Sequence, residues 1–205
     1  MRTVIIAICG KSASGKDSLA HFLYKSLRFK NVPVNLIVQD CTRPPRVNEI
    51  DGEDYNFIST HDFLNNIKNC EYLEYMNFKN WYYGIRKDSL RADCINIGIF
   101  NAHGIKTLVN KQDDYLIIPI YLALGLFDRL KRSYKREHKF KWEFIRRALS
   151  DYKDFFGIDY YTHLYMGNIK LSSMNKIAEN AYLVEKYVSS LLSSLEDQKF
   201  LVKSL

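Results

Sequence analysis

Eight consecutive residues near the amino terminus, Gly10-Lys11-Ser12-Ala13-Ser14-Gly15-Lys16-Asp17, constrain this chain more than any other stretch. An apolar, β-branched run, Val4-Ile5-Ile6-Ala7-Ile8, leads into them, and an amphipathic run, Ser18-Leu19-Ala20-His21-Phe22-Leu23, leads out. A strand, a glycine loop and a helix in that order, with Gly-x4-Gly-Lys spacing, fit the phosphate-loop pattern. Glycines let the backbone turn tightly, so that several N–H groups converge on one anion. The helix that follows adds its positive end, and Lys16 supplies a mobile cation. Gly10, Lys11, Ser12, Ala13, Ser14, Gly15, Lys16, Asp17 and Ser18 are therefore expected to hold the phosphates of a nucleotide. The pattern normally closes on a hydroxyl. Here Asp17 stands at that position and the hydroxyl follows at Ser18, so one of these two is expected to bind the accompanying divalent cation, Mg2+.

The rest of the composition limits the setting. A chain of 205 residues fits one domain with small inserted parts. No apolar run approaches the roughly 20 residues of a membrane span, and the first apolar run lacks a cleavage-site pattern. Cys9, Cys41, Cys70 and Cys94 are scattered without a C-x-x-C pair. They read as reduced thiols of a cytoplasmic protein rather than as a metal site. The net charge of +7 favours polyanionic partners. No membrane partner is expected.

Strand and helix signals alternate through the core, as in a mainly parallel sheet with helices on both faces. Strands are expected at 3–8, 32–38, 94–100 and 115–121, with a last one near 160–165. Helices are expected at 16–29, 62–69, 104–111 and 178–195, with a short one ending at 91–93. Ligands of such sheets sit at the carboxyl ends of the strands, where Gly10 and Gln39-Asp40 fall. Between them lies a different segment. Thr42-Arg43-Pro44-Pro45-Arg46 cannot be helical across its prolines. Next come a turn at Asp51-Gly52, a helix capped by Ser59 or Thr60, and the aromatic strands Tyr72-Leu73-Glu74-Tyr75 and Trp81-Tyr82-Tyr83-Gly84. Arg43 and Arg46 on a stiff loop suit a phosphate dianion, which Arg binds bidentately. Tyr55 and Tyr83 can offer hydroxyls to the same phosphate. Glu74 is an acceptor with two oxygens.

Thr-Arg-Pro-Pro-Arg, Glu49, Asp-Gly-x-Asp-Tyr-x-Phe, Tyr-Leu-Glu-Tyr and Tyr-Tyr-Gly, in register from Cys41 to Gly84, resemble the monophosphate-binding insertion of guanylate kinases. The resemblance implies a three-layer α/β/α P-loop NTPase fold with a mainly parallel sheet. It also implies a small α+β NMP-binding insertion at about 40–86, a core at 1–39 and 87–205, and a helical lid at about 131–147. The implied activity is transfer of the γ-phosphate of Mg-ATP to GMP or dGMP, by a monomer or a homodimer; the alternatives are a (deoxy)nucleoside monophosphate kinase with a different or broader base preference, or a catalytically inactive guanylate-kinase-like interaction module. It assigns Arg43, Arg46, Tyr55 and Tyr83 to the acceptor phosphate and Glu74 to the base. It also places Gln39, Ile85 and Asn101 at the base. At position 85 the family usually carries a small hydroxyl residue, and Asn101 stands where it carries an acid. Lys16, Arg43, Arg136 and Arg147 are expected to act on the reacting phosphates, and Asn168 to lie near the adenine of ATP. The basic run from Arg129 to Arg147 interleaves Tyr134, Phe140 and Trp142 but has no recognisable nucleic-acid motif. Nucleotides, not nucleic acid, are therefore the expected partners.

Overall fold

A computed structural model describes residues 3–47, 49–78, 80–111, 113–137, 142–158, 170–172 and 177–203. The strand expected at 160–165, and Asn168, lie outside the described residues. β1 (Thr3–Cys9) is the centre of a parallel sheet ordered β2 (Val34–Leu36), β7 (Ile95–Phe100), β1, β8 (Tyr115–Ala123), β9 (Lys170–Ser172). Its position explains its composition. With β7 on one side and β8 on the other, Ile5, Ile6, Ala7, Ile8 and Cys9 are all 0% exposed, and a strand covered on both faces reads as a continuous apolar run.

The alternation of side chains along β1 divides the core into two layers. Ile5, Ala7 and Cys9 face one layer with Ile105 and Leu108 of α3 (Ala102–Val109). Ile6 and Ile8 face the other, with Leu19, Ala20, Leu23 and Leu27 of α1 (Lys16–Phe29) and Ala181, Val184 and Val188 of α6 (Ile177–Lys203). Each buried Ile or Leu contributes about 1.5–3 kcal/mol. Ser26 Oγ on α1 donates to Glu185 Oε1 on α6 at 2.7 Å, and Lys30 pairs with the same carboxylate, so the two helices are joined at their polar margin.

Several expected boundaries move: the strand expected at 32–38 is Val34–Leu36 and the helix expected at 178–195 is Ile177–Lys203, and two further shifts have a visible local cause. The short helix expected to end at 91–93 is a 3-10 turn, Lys87–Ser89. Buried Asn96 holds the stretch after it: it accepts from Arg91 N at 2.9 Å and donates to Arg91 O at 2.8 Å. Helix α3 begins at Ala102 rather than Gly104, because Asn101 caps it through Gly104 N at 2.7 Å.

Residues 40–86 form a second sheet, ordered β4 (Asn56–Phe57), β3 (Asp40–Cys41), β6 (Trp81–Arg86), β5 (Tyr72–Phe78). Helix α2 (Thr60–Lys68) packs on it through Phe63, stacked on Tyr72 at 4.4 Å and on Tyr82 at 5.3 Å between centroids. Gly84 makes this packing possible, since a Cβ there would lie 2.9 Å from Tyr72 and 3.0 Å from Phe63. Ser59 is the cap of α2, accepting from Asp62 N. Buried Asp40 ties three strands together, taking Tyr72 Oη at 2.8 Å and Asn56 Nδ2 at 3.0 Å. After β8 come two amphipathic helices, α4 (Leu126–Glu137) and α5 (Trp142–Asp154), which cover most of the expected lid.

Candidate active site

The glycine loop leaves the carboxyl end of β1. A Cβ on Gly10 would lie 2.5 Å from Ser14 Oγ and 2.9 Å from Leu122 O, so only glycine lets the loop curl back onto the strand. Ala13 (φ 62°) and Gly15 (φ 92°) both adopt the left-handed region, and Ser14 N closes the turn on Lys11 O at 3.0 Å. Gly15 brings no capping side chain to α1. The first-turn N–H groups of Lys16, Asp17 and Ser18 have no acceptor within the helix, so the positive end of α1 opens toward an anion. Lys16 Nζ stands 3.3 Å from Asp17 Oδ2. Gly10→Ala is expected to weaken ATP binding at least tenfold, about 1.4 kcal/mol, by calorimetry, because the new Cβ must push the loop off the strand.

The second sheet assembles the residues expected on the acceptor side. Arg43, 7% exposed, is held by Glu49 in a fork: Nη1 to Oε2 at 2.6 Å and Nη2 to Oε1 at 2.7 Å. Glu49 also accepts from Arg46 N at 2.7 Å, so one carboxylate shapes the whole proline loop. The Arg43 guanidinium lies over the Tyr55 ring at 5.0 Å and over Phe57 at 5.5 Å. Tyr55 and Tyr83 meet edge to face at 6.1 Å. Arg43, Tyr55 and Tyr83 are therefore brought together, while Arg46 extends into solvent beside them. The fork to Arg43 holds the Glu49 carboxyl below its ordinary value near 4.5. A depressed carboxyl stabilises the fold above its unfolded value and loses that contribution as pH falls through its folded one. Glu49→Gln is thus expected to cost about 3 kcal/mol at pH 7 and progressively less below pH about 4.5, read as Tm against pH.

Glu74, on β5, is 4% exposed, and its Oε2 is buried without a hydrogen-bond partner. Burial raises its carboxyl to about 7, with Lys111 opposing the shift. It pairs across the sheet with Ile85, which is fully buried and offers no hydrogen bond. The first turn of α3 presses against it, since a Cβ on Gly104 would come 3.1 Å from Glu74 Oε2. The side chains of Gln39 and Asn101 are both engaged. Gln39 Nε2 donates to Ile99 O, and Asn101 caps α3 with Oδ1 while its Nδ2 meets Met76 Sδ.

The Tyr55 phenol is raised to about 12, first by burial and next by the charge of Asp17 at the head of α1. On the far side of the loop, Arg132 Nη1 on α4 donates to Ser14 O at 2.9 Å. Arg136 lies on α4 and Arg147 on α5. The sequence offered Glu49 only as one residue of the resemblance, three positions after Arg46, and Arg129 only as one cation of the basic run; Asp151 escaped sequence reasoning, because its partner in the loop is more than a hundred residues away.

A parallel sheet whose central strand ends in a glycine loop at the head of a helix defines a P-loop fold, the architecture of nucleotide phosphotransferases. The guanylate kinase family model matches residues 1–96. The guanylate kinase of Blochmanniella floridana is 28% identical over 92% of this chain and 95% of its own. That of Maricaulis maris is 34% identical over 64% of this chain and 62% of its own length. A crystal structure of guanylate kinase from Anaplasma phagocytophilum shares the fold, with a TM-score of 0.64 and 16% identity over 92% of this chain and 86% of that one. The chain is thus similar to guanylate kinases, through a family model over its first 96 residues and through relatives 28% identical along almost its whole length.

Proposed function

We propose that this chain transfers the γ-phosphoryl group of Mg-ATP to GMP or dGMP. The observation that carries the reading is that one chain builds two anion cradles: the glycine loop with Lys16 at the head of α1, and Arg43, held in a fork by Glu49, beside Tyr55 and Tyr83. Donor and acceptor phosphates would then meet between them.

A phosphate oxygen of the monophosphate attacks the γ-phosphorus in line, its new P–O bond forming as the bond to the β-phosphate oxygen breaks, and ADP leaves. The protein supplies no nucleophile; its work is positioning and charge neutralisation. Loop N–H groups and Lys16 hold the donor phosphates. Arg43 and Arg46, with the Tyr55 and Tyr83 hydroxyls, hold the acceptor phosphate, and Arg136 and Arg147 offset the charge that accumulates between the two nucleotides. Glu74 accepts the guanine N1–H and 2-amino hydrogens, and Gln39, Ile85 and Asn101 line that pocket. The lid at about 131–147 and the insertion at about 40–86 close over the core to exclude water.

Asp17 and Ser18 stand exposed on the first turn of α1. One carboxylate and one hydroxyl fit a Mg2+ that takes most of its ligands from phosphates and water. When bound, the ion supplies charge neutralisation on the phosphoryl oxygens. Asp17→Ala or Ser18→Ala is expected to raise the Mg2+ concentration giving half-maximal rate; an unchanged dependence in both would remove them from the metal site. The reading also places the enzyme in the cytoplasm, as a monomer or a homodimer. Its test is a coupled ADP-release assay with Mg-ATP and each common ribo- and deoxyribonucleoside monophosphate. GMP or dGMP turned over fastest supports the reading; no turnover of any acceptor defeats it.

A further inference from the structure

The lid helices are wired into the glycine loop through buried charge. Arg129 and Arg132 are three residues apart on α4, hence on one face of it, and both reach loop carbonyls: Arg129 Nη1 to Ser12 O at 3.3 Å and Arg132 Nη1 to Ser14 O at 2.9 Å. From α5, Asp151 completes the contact. Its Oδ2 accepts from Arg129 Nη1 at 2.8 Å and from Ser12 N at 2.9 Å, and its Oδ1 from Ser12 Oγ at 3.2 Å. Arg129 is 4% exposed and Asp151 9%. Arg132 lies against the loop backbone itself, where a Cβ on Gly15 would stand 3.1 Å from its Nη1.

Two physical points turn this arrangement into a role. A loop that aims N–H groups inward at an anion must turn carbonyls outward, and those carbonyls need donors. The carbonyls of Ser12 and Ser14 find them on α4. Asp151, in turn, takes the Ser12 N–H outward, which leaves the anion to the amides nearer Lys16. A buried ion pair is a weak source of net stability, because desolvating both charges offsets their attraction. Its value here is in fixing which way the peptide groups of the loop face.

We propose that Arg129 and Asp151 are positioning residues: the pair clamps α4 and α5 to the glycine loop and holds the loop in the shape that receives the donor phosphates. The proposal rests on the phosphotransferase reading of that loop. It places the lid and the phosphate cradle in one mechanical unit, so a movement of α5 is felt at Ser12.

The test measures binding directly, with inorganic tripolyphosphate as a probe of the loop and GMP as a probe of the acceptor side, by calorimetry on the full chain. Asp151→Ala and the double variant Arg129→Met/Asp151→Ala are compared with the unaltered protein. The single variant strands a buried guanidinium and is expected to lose Tm; the double variant removes that charge and recovers Tm. In both, tripolyphosphate affinity is expected to fall about tenfold or more, while GMP affinity stays unchanged. A purely structural role would return tripolyphosphate affinity together with Tm in the double variant, and that result overturns the proposal. Failure of the unaltered protein to bind tripolyphosphate overturns the nucleotide reading as well.

Discussion

Glu74→Gln is expected to lower kcat/KM for GMP by about 10³-fold. Two charge-assisted hydrogen bonds are at stake, each worth roughly 1.5–3 kcal/mol. The amide that replaces the carboxylate can accept only one guanine donor and turns its own N–H against the other. Nothing opposite compensates, because Ile85 is apolar and the side chains of Gln39 and Asn101 are already engaged. The same substitution should not destabilise the protein. Burial raises the folded carboxyl to about 7, so between its unfolded value and 7 the folded state keeps a proton that the unfolded state releases. The stability associated with that proton is therefore lost as pH rises through about 7. At pH 8 the Gln variant, which never ionises, should melt no lower than the parent. Guanine binding selects the ionised carboxylate, so GMP affinity should rise with pH until about 7 and then level. The acceptor phosphate has its own ionisation near 6, common to both proteins. The readout is therefore the difference between the pH profiles of parent and variant. Identical profiles would show that Glu74 does not contact the base.

Lys16→Met is expected to reduce kcat by about 10³-fold, the scale of losing one preorganised charge at the transition state. The fold should be indifferent to it. Lys16 packs no core, and its contact with Asp17 involves side chains 23% and 63% exposed, a kind of pair that contributes little to stability. GMP affinity should be unchanged, since the acceptor cradle is built on the other sheet. Single-turnover kinetics with saturating ATP would separate the two possible losses. A fall in kcat with near-normal GMP binding is the expected pattern. A variant that keeps its turnover number and loses only ATP affinity would reduce Lys16 to an anchor.

The elements whose boundaries the chain dictates are those with local causes. Helix α1 spans Lys16–Phe29 as expected, because the glycine loop sets its start and the apolar spacing of Leu19, Leu23 and Leu27 sets its face. Strand β1 is legible because a central parallel strand must be apolar on both sides. Where a side chain from outside the element decides, the boundary shifts. Asn96 turns the end of a short helix into a bend, and Asn101 starts α3 two residues early. Neither hydrogen bond has a periodicity to betray it.

The amino-acid order alone determined the chemistry available to this protein: a glycine loop with a lysine, paired arginines on a proline-stiffened loop, phenols and one carboxylate on aromatic strands. Those patterns are short, and short-range geometry follows from residue type and spacing. Tertiary structure decided how that chemistry is set. It gave Arg43 to Glu49 as a fixed fork, buried Glu74 until its carboxyl rose to about 7, and used Asp151 to turn Ser12 outward. Such effects depend on desolvation and on charges brought together from distant parts of the chain, and neither quantity exists until the chain has folded.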